Sequence, residues 1–213
     1  LGTCGEPLLQ STRRPAHDEA LAQLAPLGVT YPCFCTRADI AAAAGAPHGA
    51  PSPYPGSCRA IDPATAARRA ATEPHAIRLD VARAVLLAGP LSFEDSDGCR
   101  HAADPLTAGD VVLARKDIGV GYMLAAVVDD AFQGVTHVVR GRDLVDATPT
   151  QRLLQQLLGY PAPRYLHHRL LLAKDGRRLA KRDRAETLQT LCEAGVDGRA
   201  MAARLALLPP SGP

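Results

Sequence analysis

Apolar residues fall at helical spacing over residues 17–27, where Leu21, Leu24 and Leu27 share a face and Asp18 and Glu19 occupy the first turn. A second, shorter helix of Ala and Arg is predicted over residues 64–71. Between them, residues 31–60 follow neither period. From His75 to Val112 the pattern reads as strand and turn: 76–81, then 91–95, with Asp97-Gly98 as a turn. Residues 110–115 read as a strand. Residues 121–130 are apolar almost all round, so periodicity leaves helix and strand both open. Residues 135–140 are β-branched and bounded by Gly134 and Gly141, the pattern of a strand. Residues 148–158 read as a helix with Thr148 as N-cap, Pro149 at the first helical position and Gly159 past the end. Two more helical patterns cover 183–191 and 199–208. The segment 111–159 thus alternates β and α, and its strand ends in Arg140-Gly141-Arg142-Asp143 just before a helix. Doubly wound α/β folds gather ligand-binding residues at such places.

Composition narrows this frame only moderately. With 213 residues and 46% hydrophobic content, the chain is long enough for one large domain, or one domain carrying an inserted subdomain. Aromatics make up 4% and Trp is absent, so the core must be built from Leu, Val and Ala. A net charge of +2 permits nucleic-acid binding without arguing for it. The longest apolar runs, 111–114 and 170–173, are far too short to span a bilayer, and no secretory signal opens the chain. The expectation is a cytoplasmic protein whose start, lacking Met, has been lost.

Six cysteines in a chain of this length do not make a disulfide scaffold. Three of them cluster: Tyr31-Pro32-Cys33-Phe34-Cys35, then Tyr54-Pro55-Gly56-Ser57-Cys58-Arg59. Zn²⁺ takes four soft or borderline ligands in a tetrahedron, and thiolates are the strongest of these. Cys58 closes a loop rich in Ala, Gly and Pro that has little else to hold it. The fourth ligand stays open between Tyr54 and His48, histidine being the usual choice on metal chemistry alone. A second signal is the basic run from Lys174 to Arg182, a Gly-containing loop able to neutralise a polyphosphate. Arg140 suits a carboxylate or phosphate if it stands in a cleft. The pair His167-His168 points in two directions on regular structure and reads as a strand end at the surface.

Four segments together carry a family resemblance: Tyr-Pro-Cys-Phe-Cys-Thr-Arg (31–37), Tyr-Pro-Gly-Ser-Cys-Arg (54–59), Ala-Val-Val-Asp-Asp-Ala-Phe-Gln-Gly-Val-Thr-His-Val-Val-Arg-Gly-Arg-Asp-Leu (126–144) and Thr-Pro-Thr-Gln-Arg-Leu-Leu (148–154). In order and spacing they resemble the glutamyl-Q tRNA(Asp) synthetases, a family similar to the catalytic half of class I glutamyl-tRNA synthetase. The resemblance runs from about Leu8 to Leu191. It implies an α/β, Rossmann-like class I aminoacyl-tRNA synthetase catalytic domain with a zinc-bearing insertion, its first strand and helix missing. Residues 1–30 would be the remainder of the first Rossmann half and 31–118 the zinc-bearing, acceptor-type insertion. Residues 119–170 would be the second Rossmann half, and 171–213 the signature loop and C-terminal helices.

The same resemblance implies a function. Glutamate is activated with ATP and Mg²⁺, without tRNA, to glutamyl-adenylate and pyrophosphate. The glutamyl group then passes to the cyclopentenediol of queuosine in the anticodon loop of tRNA(Asp). One Zn²⁺ per chain would be held by Cys33, Cys35, Tyr54 and Cys58, so the resemblance favours Tyr54 over His48. Tyr122 and Arg140 would bind glutamate, with Asp143 a weaker candidate for the ATP ribose. The KMSKS-like loop would be Arg178, Leu179, Ala180, Lys181 and Arg182, with Lys181 as the catalytic, ATP-binding lysine. A cytoplasmic monomer is implied.

Two features depart from the family pattern. Its opening strand and helix, with a HIGH-like motif, have no counterpart, since the chain enters the pattern near Glu6-Pro7-Leu8. Arg178 and Ala180 also replace the usual Lys and Ser of the signature loop. A transition-state donor lost at a well-formed site costs about 2.7–4 kcal/mol. The expectation is therefore low activity from the chain as it stands. A zinc-bearing RNA-binding remnant and a fragment of a glutamyl-tRNA synthetase are the alternatives.

Overall fold

The computed structural model describes residues 6–36, 38–40, 54–115, 117, 119–171 and 188–206. Contacts divide the chain into two units, residues 1–138 with 146–166, and residues 139–145 with 167–213.

In the first unit a 3-10 turn, Gln10–Arg13, leads into α1 (Arg14–Leu24). This helix begins three residues before the predicted start. It gives way to a 3-10 turn at Ala25–Leu27, ended by Gly28 in the left-handed region at φ 67°. That left-handed backbone is what favours glycine at position 28. β1 (Thr30–Cys33) follows, then α2 (Pro63–Thr72), whose Asp62 cap accepts a hydrogen bond from the Thr65 backbone N–H at 2.9 Å.

β2 (Ala76–Leu79) ends sooner than the predicted strand, because Asp80 caps a new helix, α3 (Val81–Ala88), through the Arg83 backbone N–H at 3.1 Å. The strand-and-turn reading of 75–112 is corrected here, since it contained no helix. Val81, Ala84, Val85 and Ala88 form an inward stripe at helical spacing, which the alternating apolar residues Ile77, Leu79 and Val81 around Asp80 hid. β3 (Leu91–Glu94) and β4 (Arg100–Ala103) form an antiparallel hairpin around Gly98 at φ 80°. β5 (Val112–Arg115) and β6 (Gly119–Val120) complete a four-stranded antiparallel sheet in the order β1-β2-β5-β6.

The ambiguous apolar segment is a helix, α4 (Tyr122–Phe132). α5 (Thr148–Leu157) lies where expected, but its N-cap is Ala147; Thr148 is the first helical residue and fully buried, so its side chain packs rather than caps. α1 packs on α4, α4 on α5, and α5 on α3 and β3. Leu24, Leu79, Leu113, Leu124, Leu153 and Leu154 are fully buried at the centre of this core. β7 (His137–Gly141) and β8 (Arg164–His168) make a separate two-stranded sheet, and the boundary between the units crosses both strands. The second unit also contains α6 (Leu188–Glu193) and α7 (Gly198–Ala206). No helix among the described residues is long and apolar enough to cross a membrane.

Candidate functional site

β1 carries the first half of the cysteine cluster. Its antiparallel register on β2 sets Cys33 opposite Ala76 and Tyr31 opposite Arg78, so these four side chains share one face of the sheet. The chain then turns off the strand at Phe34 and Cys35. Cys58 arrives on a tight turn in which the Arg59 N–H donates to the Gly56 carbonyl at 2.9 Å, with Gly56 at φ 84°. The sulfurs of Cys33, Cys35 and Cys58 lie within 4.8 Å of one another. Cys35 Sγ is 3.4 Å from Cys58 Sγ and 3.5 Å from the Tyr54 hydroxyl. Tyr54 is fixed in turn, since its oxygen accepts the Cys58 backbone N–H at 2.8 Å. The Phe34 N–H is directed at Cys58 Sγ at 3.4 Å. All three thiols are free.

The donor set fits Zn²⁺. A tetrahedron with metal–sulfur bonds of ~2.3 Å has edges of about 3.8 Å, close to the spacings found here. Backbone N–H groups aimed at a sulfur and at the phenol oxygen orient ligands as an outer shell does around a bound metal. Burial pushes the Cys35 thiol up to about 11, although the Tyr54 hydroxyl works against this. Burial also acts to raise Cys58, but hydrogen bonds from Tyr54, the Phe34 N–H and the other two thiols outweigh it and hold Cys58 below the ordinary thiol value. Burial and hydrogen bonds with the thiols raise Tyr54. These contacts thus favour ionisation of Cys58 and oppose that of Cys35. A divalent cation is what would let the others ionise together. His48, the other candidate for the fourth position, lies outside the described residues.

Around the cluster, the Arg78 guanidinium carbon sits 3.9 Å from the centre of the Tyr54 ring, and that of Arg69 sits 4.0 Å from the centre of the Phe34 ring. Beside it, Asp110 is a buried node that sequence reasoning missed. Its carboxylate accepts from Tyr31 at 2.5 Å, Arg59 at 2.8 Å and the Val81 N–H at 3.0 Å, while its carbonyl accepts from Arg78 at 2.6 Å. Burial and this carboxylate together push the Tyr31 phenol above its ordinary value. Asp129 is a second missed node. This carboxylate on α4 accepts from Arg13 at 3.2 Å and Gln10 at 3.3 Å, and lies 2.9 Å from His17 Nε2. The available signal was the pair Asp129-Asp130 following a run of apolar residues.

Tyr122 is the first residue of α4 and is half exposed. In the second unit, Arg140 on β7 directs Nε to His167 Nε2 at 3.2 Å. A Cβ at Gly141 would come close to the Asp143 carboxylate and the Leu170 side chain, which would have to shift. His168 ends β8 and is exposed. Arg178, Leu179, Ala180, Lys181 and Arg182 lie outside the described residues.

The glutamyl-Q tRNA(Asp) synthetase of Symbiobacterium thermophilum is 43% identical over 211 residues, covering 95% of this chain and 62% of its own length. The enzyme of the same name from Nocardia farcinica is 47% identical over 192 residues, covering 90% of this chain and 59% of its own length. The chain thus spans about three fifths of these relatives. The crystal structure of glutamate-tRNA synthetase from Elizabethkingia anophelis superposes with a TM-score of 0.67 at 23% identity, over 84% of this chain and 38% of that one, a likeness of fold. With residues 3–208 matching tRNA synthetases class I (E and Q), catalytic domain, the chain belongs to that family and has its α/β fold.

Proposed function

We propose that the protein activates glutamate with ATP and Mg²⁺ and transfers it to queuosine in the anticodon loop of tRNA(Asp), acting in the cytoplasm. The observation that carries this reading is sequence likeness of 41–47% to relatives bearing the name glutamyl-Q tRNA(Asp) synthetase, over most of this chain. The alternatives, an RNA-binding remnant or a fragment of a glutamyl-tRNA synthetase, draw no comparable support.

In this reading the glutamate α-carboxylate attacks the α-phosphorus of ATP and pyrophosphate leaves. A queuosine hydroxyl then attacks the mixed anhydride, and AMP leaves as the ester forms. Arg140 pairs with a substrate carboxylate, its guanidinium steered by His167. The exposed Tyr122 hydroxyl offers the substrate a hydrogen bond. Lys181 stabilises charge on the ATP phosphates. Cys33, Cys35, Tyr54 and Cys58 hold Zn²⁺ in a closed four-ligand set with no open position, which suits a structural role.

Glutamate-dependent ATP–pyrophosphate exchange without tRNA is the test, followed by transfer of labelled glutamate to tRNA(Asp) with and without queuosine. Exchange without tRNA, and transfer only to the queuosine-bearing tRNA, are expected. Transfer to the 3′ end of a tRNA would replace this reading with that of a glutamyl-tRNA synthetase. Arg140→Gln should lower kcat/KM for glutamate about 10²-fold or more if the guanidinium meets the carboxylate.

A further inference from the structure

Arg78 is a buried cation whose usual partner is missing. It is 8% exposed, and its Nε has no hydrogen-bond partner. Buried charges are ordinarily paired. Yet no carboxylate among the described residues forms an ion pair with Arg78. The nearby Asp110 carboxylate is engaged by Arg59, Tyr31 and the Val81 N–H, and gives Arg78 only its backbone carbonyl. What Arg78 does face is the ring of Tyr54, also 8% exposed, at 3.9 Å. Beyond that ring lies the thiol cluster, 3.5 Å from the Tyr54 oxygen at Cys35.

The cluster has the converse deficit. Three thiolates around one divalent cation leave a net negative charge, and a phenolate adds another. That charge would stand among Cys33, Tyr54 and Cys58, all of them buried. The two deficits answer each other. We propose that Arg78 is a positioning residue for the metal centre: its guanidinium clamps the Tyr54 ring in the fourth ligand position and supplies the buried countercharge for the anionic ligand set. The proposal rests on the reading that Zn²⁺ is held by Cys33, Cys35, Tyr54 and Cys58.

The placement is built into the sheet. Arg78 stands opposite Tyr31, two residues before Cys33 on β1, and β2 changes register between Ile77 and Arg78. The extra residue of that irregularity, Leu113, belongs to β5, while Arg78 keeps its place on β2 and lays its guanidinium over the Tyr54 ring. Arg suits the task better than Lys because a planar, weakly hydrated cation can stack on an aromatic face without leaving several N–H donors unmet.

The test is zinc affinity of the full chain, by competition with a chromophoric chelator, for wild type, Arg78→Met, Arg78→Lys, Tyr54→Phe and the double variant Arg78→Met/Tyr54→Phe. Loss of an outer-shell partner typically weakens a metal site about 10- to 100-fold, and that is the loss expected for Arg78→Met. Arg78→Lys should recover part of it. In the Tyr54→Phe background the Arg78→Met effect should shrink to a few-fold or less, because the ring is no longer a ligand to be held. Equal affinity of wild type and Arg78→Met would overturn the role of Arg78 and leave the ligand set standing. An undiminished effect in the Tyr54→Phe background would show that Arg78 does not act through Tyr54. Failure of wild type to take up zinc would remove the ligand set, and the role of Arg78 with it. Should Arg78→Met not fold, the cycle run with Arg78→Lys answers the same question.

Discussion

The helical core and the cysteine lobe of the first unit are held together by different chemistry. Between α1, α3, α4 and α5, a dozen apolar side chains are fully or almost fully buried, Leu24, Leu124 and Leu153 among them. Among the described residues of the lobe, the buried cluster is Cys33, Tyr54 and Cys58, with Phe34, Cys35, Ile40 and Ile61 packed partly against them. Three side chains remove too little apolar surface from water to offset the ordering of the backbone around them. The core can therefore stand on burial, whereas the lobe must be fixed by bonds. Its candidates are a metal, the Asp110 node and the contacts of α2.

Metal removal should separate the two regions most sharply. In peptides where a structural zinc is the fold, its binding is worth about 10–16 kcal/mol. Chelation is expected to abolish amide-exchange protection over residues 30–36 and 54–61 while α1, α4 and α5 keep theirs. Protection lost equally in both regions would mean that the core depends on the lobe; protection lost in neither would mean that the cysteines are a packed thiol cluster.

The converse perturbation is Leu124→Ala. The side chain is fully buried and central, so truncation should cost about 2–5 kcal/mol in denaturant unfolding. Zinc affinity should stay within twofold of wild type.

The two regions also differed in how far the sequence revealed them. The cysteine cluster was legible because its chemistry is carried by residue type over a short span: three thiols with metal-ligand spacing announce themselves wherever the backbone goes. Tyr54 was not legible from chemistry, since nothing intrinsic ranks a phenol above His48; the resemblance chose it. The helical core was legible in outline, through the spacing of Leu21 and Leu24 and the Pro149 and Gly159 boundaries of α5. It failed at α3, where Asp80 reads as the end of a strand and acts as the cap of a helix. It left α4 undecided between helix and strand, because apolar residues almost all round leave no face to detect. Asp110 and Asp129 escaped notice for another reason. An isolated carboxylate reads as a surface residue, and their partners lie 29 to 119 residues away. Burial of a charge is a property of the assembled fold, and no local pattern encodes it.

Asp110 lies between the two regions in effect as well as in character. Asp110→Ala would leave the Tyr31 hydroxyl, the Arg59 guanidinium and the Val81 N–H without their shared acceptor. Hydrogen bonds to a charged group contribute about 1.5–3 kcal/mol each, but Arg59 can turn to solvent, so a total near 2–3 kcal/mol is expected from denaturant unfolding. Because the node joins β1, the Cys58 turn and the cap of α3, the loss should appear both as lower global stability and as weaker zinc binding. Loss of stability alone would place Asp110 with the core.

The smallest effect belongs to the pair Arg69–Glu73 on α2, at 2.7 Å with both side chains well exposed. Arg69 also lies over Phe34, beside the cysteines, so this surface pair adjoins the lobe. The hydrogen bond from Arg69 holds the Glu73 carboxyl below the ordinary carboxylate value. A carboxyl depressed in the folded state contributes stability that is fully present above its unfolded value, near 4.5, and is lost as pH falls through its lower folded value. The difference in melting temperature between wild type and Glu73→Gln should thus be slight, constant from about pH 7 to 5, and vanish below the ordinary carboxylate range. Acid also strips thiolate-bound metal, so the two proteins are compared at each pH rather than either one across the range. A difference that survives to pH 3 would mean that the residue acts through packing rather than charge. A large one would mean that the lobe leans on α2 far more than an exposed pair allows. The comparison between core and lobe would then have to be redrawn with α2 among the elements that hold the metal centre.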